Sequence, residues 1–108
     1  MKTGIELIAE ERTRQVTEEG FTAEHDQKHK YHELALAAIS YAAAVASPDE
    51  NRDGSQRPCW DWPWSEAQWK PSASDVRNLV KAGALIAAEI DRLRRLEQKP
   101  DQQPEHVA

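Results

Sequence analysis

The chain has 108 residues and a mass of 12.2 kDa, which allows one compact domain and excludes a multidomain enzyme. A net charge of −5, from 14 basic and 19 acidic side chains, argues against a non-specific binder of duplex DNA or of an anionic membrane, because such binding neutralises phosphates. Sixteen of the apolar residues are alanines, so the supply of bulky core residues is small. We therefore expect a partner to complete the core.

The sequence predicts a cytoplasmic location. It has no run of about 18 apolar residues, and its first residues lack the basic-then-apolar plan of a signal peptide. The single cysteine, Cys59, has no second thiol with which to form an internal disulfide or a cysteine-based zinc site.

The first helix is predicted over about residues 4–19. Thr3 and Glu6 have the spacing of a capping box, and Gly20 stands where a left-handed residue would end the helix. Arg12 lies on the apolar line of this helix, where an unpartnered charge would be costly, so it should meet a carboxylate or a bound anion. Arg14 lies off that line, at a spacing that suits solvent-side ion pairs with the acidic residues four positions away.

A polar connector, residues 21–31, leads to a second helix predicted over about residues 30–46. Twelve of the fourteen residues 33–46 are apolar and seven are alanine, so this helix has hardly any face suited to water. Its small side chains allow close packing, and a chain of three helices has difficulty surrounding it. We therefore expect a homo-oligomer, either a dimer or a larger assembly.

A long connector, residues 47–71, precedes a third helix predicted over about residues 74–96. This connector contains all four tryptophans, a concentration that does not suit disorder, so we expect it to be packed. The tail, residues 98–108, should be mobile. The predicted fold is an all-α protomer, with one domain over residues 1–97, that assembles as a helical-bundle homo-oligomer.

The tryptophan-rich connector is the first candidate for a binding site. Indole faces stack on nucleobases for about 1–3 kcal/mol per base, and cationic side chains can meet phosphates. The alternative is that the tryptophans cover helix ends and fill an oligomer interface. For Arg12 the alternative is a structural ion pair with Glu33 or Asp91. The candidate ligand-binding residues are Arg12, Arg14, Trp60, Trp62, Trp64, Trp69, Lys70 and Lys81.

A second candidate is a group of histidines near acidic residues, namely His25, His29, His32, Asp26 and Glu33. His29 and Glu33 would share one helical face and are the candidate metal ligands. The spacing differs from that of rigid zinc sites, so solvated histidines are the alternative. We expect no cofactor, except Mg²⁺ if the chain is an enzyme.

Several motifs follow one another along about residues 4–95: Glu11-Arg12-x-Arg14-Gln15, Glu19-Gly20-Phe21, Glu33-Leu34-Ala35, Trp62-Pro63-Trp64, Trp69-Lys70-Pro71 and the segment 78–93. This order resembles small phage and prophage proteins of the MazG-like type, which are related to the all-α nucleoside triphosphate pyrophosphohydrolases. The resemblance implies a helical dimer or larger bundle that holds a nucleotide among its helices. It also implies Mg²⁺ bound by glutamates at helical spacing, and the host cytoplasm as the location if a phage encodes the chain.

The chain departs from this family pattern where the metal would bind. In the matching helix only Glu33 is acidic, and Leu36, Ala37 and Ser40 stand a turn further on. Because Mg²⁺ requires well-placed carboxylates, the departure favours binding without hydrolysis. The predicted function is sequestration of a phosphorylated nucleotide, including a cyclic signalling nucleotide of host defence, with its base near the tryptophans and its phosphates near Arg12, Lys70 or Lys81.

Two alternative functions remain. In the first, Glu33 holds Mg²⁺ with His29 or with carboxylates of a neighbouring subunit, and the chain hydrolyses nucleoside triphosphates. In the second, the chain is a helical module that binds a host protein through its tryptophans, a residue type enriched at interface hot spots.

Overall fold

The computed structural model of the chain describes residues 1–47, 53–59 and 61–98. Within these ranges the chain forms four α-helices and no strand: α1 (Gly4–Glu18), α2 (Ala23–Gln27), α3 (Glu33–Ala46) and α4 (Asp75–Gln98). The all-α prediction is confirmed, although there are four helices rather than three. None of these helices is both long and apolar enough to span a membrane. Trp60 and residues 99–108 of the predicted tail lie outside the described residues.

The first helix begins as its capping box predicts. The side chain of Thr3 accepts a hydrogen bond from the Glu6 backbone N–H, and the Glu6 carboxylate accepts one from the Thr3 N–H. After the helix, Gly20 has a φ of +75°, a left-handed conformation that glycine adopts without steric cost. This turn brings the Phe21 N–H back to the Gln15 carbonyl, at 2.9 Å, and so directs the chain against α1.

The predicted polar connector contains a short helix, α2. The Thr22 side chain caps this helix by accepting a hydrogen bond from the His25 N–H. Asp26 is 0 % exposed, and its carboxylate lies 2.9 Å from Nη2 of Arg12. This contact with α1 compensates the buried charge, so the segment is held in place by a partner outside its own sequence.

Helix α3 begins at Glu33 rather than at residue 30. The preceding residue, His32, has a φ of 64°, which prevents the helix from extending backward. His32 contacts Glu89 at 2.7 Å, whereas Tyr41, further along α3, lies beneath Lys81. These two contacts show that α3 and α4 run antiparallel.

The core lies between α3 and α4 and is built mainly from alanine, which lets the two helices pack closely. Its buried members are Leu34, Ala37, Ala38, Tyr41, Ala82, Leu85 and Ala88, and Phe21, Trp62, Trp64 and Trp69 pack around them. Only Ile39 and Ala46 of α3 are exposed. One chain therefore covers most of α3, and the case for assembly rests on α4.

The described part of the long connector is fixed by hydrogen bonds. Gln56 is buried, and its side-chain Nε2 donates to the Ser72 carbonyl at 2.7 Å. The backbone carbonyl of Gln56 accepts a hydrogen bond from Trp69 Nε1 at 2.7 Å. The Lys70 N–H donates to the Tyr41 hydroxyl at 3.2 Å. These bonds join Gln56 to the chain at the end of the tryptophan-containing segment (residues 61–69) and hold Lys70, which follows that segment, against α3.

Candidate functional site

A cavity of about 200 Å³ lies where the four helices meet the tryptophan-containing segment. Its lining is aromatic on one side and charged on the other. The lining residues are Glu11, Arg14, Gln15, Glu19, Phe21, His25, His29, Tyr41, Trp62, Trp64, Gln68, Lys70, Lys81 and Leu85.

The aromatic side of the cavity is a continuous set of ring contacts. Phe21 stacks on His25 with their centroids 4.7 Å apart, and Trp64 lies 5.1 Å from His29. Trp62 contacts Trp64 at 5.3 Å in an edge-to-face arrangement. A flat aromatic ligand would therefore find both ring faces and ring edges here.

The charged side is organised around Glu11, which is 2 % exposed. Its Oε1 accepts from Arg14 Nε at 2.8 Å and pairs with Arg77 Nη2 at 2.6 Å. Its Oε2 accepts from Arg14 Nη2 at 3.0 Å and from Gln15 Nε2 at 3.2 Å. Burial raises the pKa of Glu11, but hydrogen bonds from Arg14 and Arg77 outweigh it, so the pKa lies below its ordinary value and the group is a carboxylate.

A second carboxylate, Glu19, bridges Arg14 at 3.2 Å and Lys70 at 3.1 Å. Burial raises its pKa, and hydrogen bonds from Lys70 and Arg14 lower it by more. Lys81 Nζ donates to the Lys70 carbonyl at 2.6 Å, and burial together with Arg77 lowers the Lys81 pKa. The lining thus combines three cationic side chains, Arg14, Lys70 and Lys81, with two carboxylates, a net charge of about +1 before the histidines are counted.

Two buried polar atoms of the lining residues have no hydrogen-bond partner within the described part of the chain: Gln15 Oε1 and Trp64 Nε1. Gln15 is 3 % exposed, and because its Nε2 donates to Glu11, its Oε1 is fixed as an acceptor. A buried polar atom without a partner costs about 1–3 kcal/mol. A bound molecule that offers a donor to Gln15 and an acceptor to Trp64 would recover that free energy.

The two cavity histidines form a chain of polar contacts. His25 Nδ1 lies 2.9 Å from Asp26 Oδ1, His29 Nδ1 lies 3.3 Å from Glu33 Oε2, and the two Nε2 atoms are 3.4 Å apart. The alternative that these histidines are solvated is wrong for His29, whose side chain is 18 % exposed.

Glu33 is not among the residues that line the cavity. Its carboxylate contacts Nδ1 of His29. Burial raises the pKa of Glu33, while its own N–H, the Tyr31 N–H and His29 lower it to a value below the ordinary one. Across the ranges that the structure describes, no three histidine, cysteine or acidic side chains are arranged to hold a metal ion.

Five of the predicted ligand-binding residues line the cavity: Arg14, Trp62, Trp64, Lys70 and Lys81. The ion pairs of Arg14 are with Glu11 and Glu19, so the expectation of solvent-side pairs four positions away is wrong.

Arg12 and Trp69 are absent from the lining. Arg12 pairs with Asp26 and donates to the Phe21 carbonyl, so neither predicted carboxylate partner is correct. Trp69 stacks on Tyr41, with their centroids 4.6 Å apart, beside the cavity. Trp60 is outside the described residues.

The ligand-binding set derived from the sequence omits Glu11, Gln15, His25 and Tyr41. A signal for the first two was present, because residues 11, 14 and 15 have the i, i+3, i+4 spacing of one helix face. Tyr41 had no such signal, since its place at the cavity depends on the connector folding back over α3.

Comparison with protein-family models, with curated proteins and with solved structures found no match to this chain. The resemblance to MazG-like proteins therefore stays a prediction, and the function is argued from the geometry of the site.

Proposed function

We propose that the chain binds a phosphorylated nucleotide in this cavity without hydrolysing it. The observation that carries the proposal is the combination, in one cavity, of an aromatic wall, a cationic excess and two unpaired buried polar atoms. Each feature matches a different part of a nucleotide.

The base is assigned to the aromatic side. Stacking on aromatic side chains is worth about 1–3 kcal/mol per base and is tolerant of base identity. A volume of about 200 Å³ is below the roughly 300–1,000 Å³ of pockets for drug-sized ligands, so the cavity suits a base with the remainder of the molecule at the mouth. Gln15 Oε1 and Trp64 Nε1 would contact the polar edge of the base.

The phosphates are assigned to Lys70 and Arg14. The Lys70 side chain is 59 % exposed, so its amine is accessible from solvent, and Arg14 adds a planar guanidinium suited to phosphate oxygens. Both cations now share Glu19 as a partner. A phosphate would compete with that carboxylate, so we expect binding to weaken as salt concentration rises.

The state of the carboxylates supports binding rather than Mg²⁺-dependent hydrolysis. Both oxygens of Glu11 already accept hydrogen bonds from cationic or amide groups. The two oxygens of Glu33 contact the Tyr31 N–H and Nδ1 of His29. Mg²⁺ requires carboxylate oxygens in a near-octahedral arrangement, usually with substrate phosphates. The proposal therefore requires no cofactor for binding.

Binding of a host protein through the tryptophans is less well supported. Trp62, Trp64 and Trp69 are each partly buried and packed against the core. Their rings are therefore committed to the cavity and to each other. The cavity chemistry instead fits a nucleotide, and sequestration of a host-defence signal by a phage protein stays a prediction from the sequence resemblance.

Isothermal titration calorimetry with nucleoside mono-, di- and triphosphates and cyclic nucleotides tests the proposal. We expect saturable binding of at least one of them, weakened in Lys70→Ala but unchanged in the control Lys30→Ala, since exposed Lys30 lies away from the lining. Absence of binding across the panel would refute the proposal. Mg²⁺-dependent pyrophosphate release that is lost in Glu33→Gln would establish the hydrolase instead.

We also propose that the chain assembles with itself through α4. Apolar residues of α4 remain about half exposed along one line, formed by Val76, Leu79, Ile86, Ile90 and Leu93. Ile86, Ile90 and Leu93 follow one another at spacings of 4 and 3, whereas towards Leu79 the line is interrupted at Gly83, which Ile8 of α1 covers. Two copies would bury the Ile86, Ile90 and Leu93 part of this line against each other, because α1 occupies the line at Gly83.

A further inference from the structure

His25 and His29 make three polar contacts: one with Asp26, one with Glu33 and one between the two rings. Two neutral imidazoles can provide a proton for only two of them. Both Nδ1 atoms face carboxylates, Asp26 and Glu33, so the tautomer that satisfies these two contacts carries its proton on Nδ1 of each ring. Each neutral ring then has only a lone pair on Nε2, and these two lone pairs face each other across 3.4 Å. A cation between them, either a proton or a metal ion, would remove this repulsion.

The separation of the two nitrogens matches a metal chelate. Two imidazole nitrogens bound to one tetrahedral Zn²⁺ at about 2.0–2.1 Å lie about 3.3–3.4 Å apart. The observed Nε2 to Nε2 distance is 3.4 Å. The residues are also spaced i, i+4 across the end of α2, the spacing at which two histidines of a zinc-binding helix face one ion.

The outer contacts of both rings are those of metal-bound histidines. A ligating histidine usually donates its second ring N–H to a carboxylate, which fixes the tautomer and raises the basicity of the metal-binding nitrogen. Asp26 and Glu33 occupy these positions, and Asp26 is itself held by Arg12. Phe21 stacks on the His25 ring and Trp64 contacts the His29 ring at a tilt, and both contacts restrict rotation of the imidazoles.

We infer that His25 and His29 bind one divalent transition-metal ion of the Zn²⁺ class through their Nε2 atoms. Glu33, which the sequence marked as a ligand, orients His29 instead. Two protein nitrogens leave coordination positions open, and because both histidines line the cavity, water or an anionic oxygen of a cavity ligand completes the coordination. The inference does not depend on nucleotide binding.

The test uses the full chain without a polyhistidine tag, titrated with Co²⁺ by visible absorption and with Zn²⁺ by calorimetry. We expect one equivalent of metal to bind, with loss of binding in His25→Gln and in His29→Gln. The matched control is His32→Gln, because His32 contacts Glu89 rather than the pair. Glu33→Gln removes an orienting carboxylate and should weaken metal binding about 10- to 100-fold.

Circular dichroism of each variant establishes that the helices are retained. Long-range proton–nitrogen spectra of the unaltered chain provide a second measurement that needs no substitution: Zn²⁺ should shift Nε2 of His25 and His29 and leave His32 unchanged. Absence of binding, or binding equally strong in the His25 and His29 variants, would overturn the inference. A pair that titrates with a shared proton but does not respond to Zn²⁺ would overturn it as well.

Discussion

Gly83 of α4 lies directly beneath Ile8 of α1: a Cβ atom placed on Gly83 would stand 2.5 Å from Ile8 Cδ1 and 2.9 Å from Ile8 Cγ1. The Ile8 side chain therefore occupies the space that a Cβ at position 83 would need. The contact fixes α1 on α4, and α1 in turn carries Glu11, Arg14 and Gln15 to the cavity.

Gly83→Ala should destabilise the chain by about 1 kcal/mol. Alanine gains about 0.5–1 kcal/mol in a helix, but overpacking against Ile8 costs about 1–3 kcal/mol. In an Ile8→Ala background the clash is gone, so the same substitution should become stabilising. Urea denaturation measures both free energies of unfolding, and an equal effect in the two backgrounds would contradict the packing argument.

Trp64→Phe should affect binding rather than stability. It keeps an aromatic face but removes an N–H that has no partner among the described residues, so nucleotide affinity should fall about 2- to 10-fold, the value of one hydrogen bond. Trp69→Phe is the matched control, because the Trp69 N–H donates to the Gln56 carbonyl. It should lower stability by about 1 kcal/mol and leave affinity unchanged. Calorimetry and urea denaturation of both variants distinguish the two roles.

Arg12→Met should destabilise the chain by about 3 kcal/mol or more, because it leaves the buried Asp26 carboxylate without its cation. Asp26→Asn in the same chain should restore part of the loss. Thermal unfolding measures the change. If Arg12 were instead a phosphate contact, the Met variant would keep its stability and lose affinity.

The chain should lose stability in acid through Glu11 and Glu19. Both have a pKa lowered in the folded state, so their contribution is complete above the unfolded glutamate pKa of about 4.3 and disappears as pH falls through the folded pKa. Glu11→Gln should flatten this dependence. Glu10→Gln, at an exposed ion pair with Lys2, should not. Melting temperatures from neutral pH downward provide the comparison.

Ile90→Asp should dissociate the proposed assembly, because it places a charge between Ile86 and Leu93 on the exposed apolar line of α4. Asp91→Lys, on the adjacent exposed position, is the control for a charge change outside that line. Size-exclusion chromatography with light scattering should give a multiple of 12.2 kDa for the unaltered chain and for Asp91→Lys. A monomer in all three samples would refute the assembly.

Local signals in the sequence predicted most of the helical fold. The Thr3 and Glu6 cap and the apolar pattern of α4 are set by neighbouring residues, and both elements occur close to where they were expected. The helix α2 was missed because it has only five residues and its buried Asp26 depends on Arg12, which lies outside it. A pattern within residues 21–31 could not reveal that partner.

The sequence predicted several of the residues that line the cavity, but it did not predict how they are arranged. Tryptophans are uncommon enough to attract attention and lysines are natural candidates for phosphate contacts, and Trp62, Trp64, Lys70 and Lys81 do line the cavity. The burial of Glu11 could not be foreseen, because it requires Arg77 from α4 as well as Arg14 from its own helix. Long-range ion pairs of this kind leave no periodic trace in a single sequence.

The placement of all four tryptophans in residues 60–69 also gives the protein an internal optical probe. Indole emission reports on the connector and the cavity, whereas far-ultraviolet circular dichroism reports on helices that contain no tryptophan. If the two signals change at the same urea concentration, the connector and the helical core unfold as one cooperative unit. If the emission changes first, the cavity opens while the helices persist, and ligand binding would then act mainly by closing it.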